Sequence, residues 1–162
     1  MKAIVYTSNT GHTERYAKML SEKIGLPTFT IEEAKKQLPK GTEIIYMGWL
    51  FATSVKGYNK VKRRYKICAV CAVGLCETGY LLKEVRNAIS LPKEIPLFTL
   101  QGGITLEELK GINKTMIATL TKFFKKKKNP TEDDKKMIEL LSKSEDFVDE
   151  KNLLSVLEWY KV

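Results

Sequence analysis

Cysteine, histidine and proline are scarce in this chain: its 162 residues include three cysteines, one histidine and five prolines. So odd and sparse a set of thiols makes no disulfide framework and suits a reducing compartment. No Ser/His/Asp or Cys/His catalytic set, metal-ligand cluster or paired-carboxylate site stands out. Long apolar runs are missing too. Nothing approaches the roughly 20 residues needed to span a bilayer, because Lys, Glu or Gly soon interrupts each run. The opening residues, MKAIVYTSN, have only a short apolar run and no small-residue cleavage pattern, so they fail as a secretory signal and read as a first β-strand. A soluble, cytoplasmic protein with one compact domain over residues 1–162 is expected from the length.

The pair Cys68 and Cys71 invites a metal or redox reading. Both fall in the run ICAVCAV, however, and side chains three apart on a strand point to opposite faces, so they cannot chelate one ion. Buried strand thiols acting as small hydrophobes are expected. Cys76 lies past the strand end, and its role stays open.

Acids are outnumbered by bases, 19 to 28, for a net charge of +9. The excess is patchy. Residues 56–66 hold six bases and residues 110–128 seven, with no acid in either stretch, whereas 131–150 carries eight acids against three lysines. Nucleic acid, anionic membrane and acidic protein all enter as partners on this ground. The basic runs lack interleaved exposed aromatics and a known reader motif, so no nucleic-acid partner is expected. Met116, Ile117, Leu120, Phe123 and Phe124 could lie on a membrane, but such a stripe is more often the core face of a helix, and that reading is preferred here.

Strands read as continuous apolar runs at Ala3 to Tyr6, Ile44 to Met47, Ile67 to Val73 and Leu97 to Leu100, with a shorter one at Phe29 to Ile31. Such runs are covered on both faces, as in a parallel sheet. Helical patterns lie between and beyond them: Gly11 to Ile24, Gly57 to Tyr65, Tyr80 to Ile89, Glu107 to Lys127, Glu132 to Leu141 and Lys151 to Tyr160. The alternation predicts an α/β, doubly wound, five-stranded parallel sheet with extra C-terminal helices, and places ligands at the C-terminal strand ends.

The first strand runs into Thr7-Ser8-Asn9-Thr10-Gly11-His12-Thr13, where a helix begins at once. Hydroxyls and a glycine at a helix N-terminus form an anion cradle, and a phosphate is the natural guest. With no Lys or Arg between Lys2 and Arg15, neutral donors and the helix dipole would hold it. A P-loop needs Lys and Ser or Thr after its last glycine, and a dinucleotide fold needs G-x-G-x-x-G; neither occurs. A receiver domain needs an acid where this chain has Gly48 and Trp49. An ordinary Ser/Thr-rich cap remains the alternative.

Ser8-x-Thr10-Gly11-x-Thr13 after a first strand resembles the FMN-phosphate loop of flavodoxins. Three further segments add to the likeness: Gly48-Trp49-Leu50-Phe51-Ala52, Gly74-Leu75-Cys76-Glu77-Thr78-Gly79-Tyr80 and Leu100-Gln101-Gly102-Gly103, each at a successive strand end. The chain is most similar to the flavodoxin domains of anaerobic bacteria, a group like the flavodoxin-type protoporphyrinogen oxidases, and the likeness runs nearly its whole length. The resemblance implies strand order 2-1-3-4-5 and FMN held by Ser8, Asn9, Thr10, Gly11, His12 and Thr13 at its phosphate. The ring would lie among Gly48, Trp49, Leu50, Phe51, Ala52, Gly74, Leu75 and Cys76. Trp49 is the ring-stacking candidate, since an indole covers a flat apolar ring; a core Trp beneath the loop is the other reading. Gln101 and Gly102 would shape the rim. His12 could titrate against the phosphate, although a solvent-facing loop position is the commoner case.

An electron carrier with an acidic redox partner protein is implied, and an FMN-dependent oxidase or reductase is the alternative. Flavodoxins of the familiar kind are acidic, and this chain is not. Its basic envelope favours the anionic reduced flavin, so the second electron's potential should be less negative than theirs.

Overall fold

A computed structural model describes residues 1–161. Its main sheet holds five parallel strands: β1 (Ala3–Thr7), β2 (Thr28–Thr30), β3 (Glu43–Phe51), β5 (Lys66–Gly74) and β6 (Leu97–Gln101). They lie in the order β2-β1-β3-β5-β6. The sheet differs from expectation by β4 (Ser54–Val55), which folds back antiparallel on the end of β3. The architecture is α/β with helices on both sides.

Alternation along each strand divides the core. Ala3, Val5, Ile44, Tyr46, Val70 and Ala72 face α2 (Ile31–Gln37), α3 (Tyr58–Val61) and α4 (Leu82–Ala88). Ile4, Tyr6, Ile45, Met47, Cys71 and Val73 face α1 (His12–Ile24) and α7 (Leu154–Lys161). Since both sets are apolar, each strand reads as an unbroken hydrophobic run. Ile44 pairs with Ile67 but Ile45 with Ala69, so Cys68 is the extra residue of a β-bulge. The bulge shifts the strand's phase by one, which puts Ile67 on the same face as Val70. It also leaves Cys68 only partly buried, whereas Cys71 is fully buried and its thiol is pushed up to about 12 by desolvation.

Several elements depart from the sequence pattern. Helix α2 covers residues where the apolar pattern shows no helix, and it starts with a capping box in which Thr30 and Glu33 satisfy each other's backbone N–H groups. The basic helix expected over 57–65 is one turn, α3. The expected 107–127 helix is split into a 3₁₀ turn (Leu106–Glu108) and α5 (Gly111–Lys125). After α5 comes α6 (Glu132–Ser142), capped by Thr131 and Asp134.

The α5–α6 pair is closed at its base by a two-stranded ribbon, β7 (Gly103–Ile104) with β8 (Glu145–Asp146). It lies over the C-terminal ends of the strands. None of the residues of α5 is buried, which corrects the expectation that its apolar stripe is a core face. Among the described residues no helix is long and apolar enough to cross a membrane.

Candidate functional site

The connection from β1 to α1 is built for a tight, open turn. Gly11 takes φ +89°, a conformation that costs a glycine nothing, and its N–H donates to Ser8 Oγ at 3.1 Å. No side chain caps α1, so the donors of its first turn are not consumed by a capping residue. Thr10 Oγ1 is 3.0 Å from His12 Nδ1. Asn9 Oδ1 accepts from Asn113 Nδ2 of α5 at 2.8 Å, which ties the loop to the overlying helix.

The loop faces a small cavity of about 50 Å³ lined by Ser8, Asn9, Thr10, His12 and Thr13 on one side and by Trp49, Leu50, Gly74 and Leu75 on the other. A larger apolar chamber of about 300 Å³ adjoins it. Leu50, Gly74, Leu75 and Ile117 line both, so the two spaces are neighbours. Phe51, Ala52, Cys76 and Leu100 add to the chamber's floor and walls; Leu120 and Phe124 of α5 with Met137 and Leu141 of α6 form an apolar roof, and the Asp133 and Asp134 carboxylates also reach the lining. The whole space sits beside the point where the strand order reverses between β1 and β3, where α/β sheets bind ligands.

Of the residues singled out from sequence, twelve line one of these two spaces; Gly11 and Gly48 do not. Gly11 turns the chain into α1. Gly48 is a packing position: a Cβ there would come within 2.7 Å of both the Lys56 carbonyl oxygen and Val55 Cγ1. Trp49 is half-buried beside the smaller cavity, with Lys56 Nζ 5.7 Å from its ring centroid. It is therefore not a core Trp sealed under the loop. Ala52 adopts φ +52° at the tip of the β3–β4 hairpin, an uncommon conformation for a residue with a Cβ. Gln101 Nε2 donates to the Leu75 carbonyl at 3.1 Å and so braces the loop after β5.

His12 corrects the expectation of a solvent-facing histidine, being only 7% exposed. The β7–β8 ribbon covers it: a Cβ on Gly103 would stand 2.8 Å from His12 Nε2, and Asp146 Oδ1 lies 3.9 Å from that nitrogen. Burial lowers the affinity of the ring for a proton, and Asp146 offsets part of that. Arg15, the base nearest the loop in sequence, is held by Asp146 at 2.5 Å. Gly102 and Gly103 are packing positions rather than rim. Both are required because the chain passes close to Val73 and to the Glu145 carbonyl.

Sequence reasoning did not find the roof. Asn113 reaches the site from α5 by a hydrogen bond to Asn9, 104 positions away, and no local pattern announces that. No protein-family model matches the chain, and no curated protein matches it.

Proposed function

We propose that the chain is a flavodoxin-like protein that holds FMN non-covalently and uses it to pass electrons. What carries the reading is the adjacency of two unlike spaces: a hydroxyl-lined pocket at an uncapped helix N-terminus, beside an apolar chamber that shares Leu50, Gly74, Leu75 and Ile117 with it. A monophosphate joined to a flat apolar ring has that same division. The chamber's volume falls at the lower end of the roughly 300–1,000 Å³ of small-molecule sites. FMN, when bound, supplies the electron chemistry.

The chain's own residues bind and tune. Ser8, Thr10 and Thr13 offer hydroxyl donors to the phosphate, with the backbone N–H groups of α1 behind them. Leu50, Phe51 and Leu75 offer apolar surface to the ring, Trp49 stands at the phosphate side, and α5 and α6 shield the chamber from water. A second reading, an FMN-dependent oxidase or reductase acting on a small molecule, is favoured by the roofed chamber. Steady-state turnover with such a substrate separates it from a carrier. The visible spectrum of the purified protein, recorded with and without added FMN, tests the cofactor: flavin bands perturbed by the protein are expected, and a spectrum equal to free FMN plus protein refutes the reading.

A further inference from the structure

Helix α5 leaves an apolar strip uncovered. Ile112 is 78% exposed and Phe123 60%. At 100° per residue the two project within about 20° of each other, with Thr119 and Met116 to either side. The strip borders an open groove of about 800 Å³ whose far wall is Phe51 of the β3–β4 hairpin. Ile117 and Phe124, which meet the chamber with α6, lie on a different side of the helix from Ile112 and Phe123.

The charge around the strip has one sign. Residues 110–128 hold seven lysines and no acid. Among the described residues only Lys127 has a carboxylate partner, Asp134 at 2.6 Å. Beyond the groove, Lys56 Nζ stands 5.2 Å from the Phe51 ring centroid. The strip therefore has Lys122 on one side and Lys56 on the other.

We propose that this face docks on an anionic lipid surface. The inference goes beyond the FMN reading and stands without it. A second copy of the chain would set the flanking Lys56 and Lys122 against bases of its own. A folded acidic protein matches the charge but needs a shaped counterpart for the groove, whereas fluid acyl chains fill an open apolar strip of any outline. Exposed aliphatic and aromatic side chains flanked by lysines are what interfacial helices use to bind anionic membranes. Phe51 and Leu120 line both the groove and the chamber, so docking brings the chamber's roof to the lipid.

Flotation of the full chain with vesicles of equimolar phosphatidylglycerol and phosphatidylcholine, against pure phosphatidylcholine, tests this. Binding to the anionic vesicles alone is expected, weakened roughly fivefold for each of Lys56→Gln and Lys122→Gln. The Ile112→Ser/Phe123→Ser double variant changes exposed side chains only and should keep the wild-type melting temperature while losing about tenfold or more in partitioning. No association with anionic vesicles overturns the proposal. Equal binding by the double variant overturns it as well, since charge alone would then suffice. Salt-sensitive binding to poly-glutamate without vesicle binding assigns the face to an acidic protein instead.

Discussion

Replacing Thr13 by valine should separate the phosphate from the ring in the binding free energy. Thr13 is 1% exposed, stands in the first turn of α1 and lines the hydroxyl-rich cavity. Valine keeps the β-branched shape and removes the hydroxyl alone. A hydrogen bond to a charged group is worth about 1.5–3 kcal/mol, and each 1.4 kcal/mol is tenfold in Kd. FMN should therefore bind about 10- to 150-fold more weakly to Thr13→Val. Riboflavin, which has the ring but no phosphate, should bind variant and wild type alike. Calorimetric titrations with both ligands give the comparison, and thermal melts check that the fold is intact. If FMN affinity is unchanged, or if riboflavin is weakened as much as FMN, Thr13 does not serve a phosphate and the assignment of this loop is wrong.

Gly57→Ala should destabilise the fold by about 2–4 kcal/mol in urea denaturation, because φ is +83° and the new Cβ would meet Tyr46, Thr7 Oγ1 and Ile31. The His12 pKa is lowered from 6.5 by burial, so below that pH the unfolded chain binds the proton more readily than the native one. Stability should fall as pH drops from about 6.5 toward the folded-state value, and His12→Gln should flatten that slope; a slope unaltered in the variant would disprove the assignment. Lys56→Glu, beside Trp49 and Phe51, should make the potential of bound FMN more negative in a redox titration, most clearly at low salt.

The strands and the first loop were legible because their signals are local. Continuous apolar runs mark strands buried on both faces, and Gly11 and Gly25 bracket α1 with left-handed conformations that favour glycine. Thr30 and Glu33 form a local capping box, but it follows directly on the short strand β2, so the apolar pattern shows no helix there. The burial of His12 was not legible. It depends on β8, more than 130 residues away, folding back across β7. The same non-local ribbon sets α5 and α6 over the strand ends, so a stripe that reads as core becomes in part a roof and in part an uncovered surface. The bulge at Cys68 is equally silent, since one extra residue in a strand of apolar side chains leaves the composition unchanged.

Calorimetric titration of the wild-type protein with FMN tests the central claim most directly. One molecule of FMN per chain, bound more tightly than riboflavin, is the result the geometry predicts. No heat of binding, or affinities for FMN and riboflavin that are equal, would contradict it.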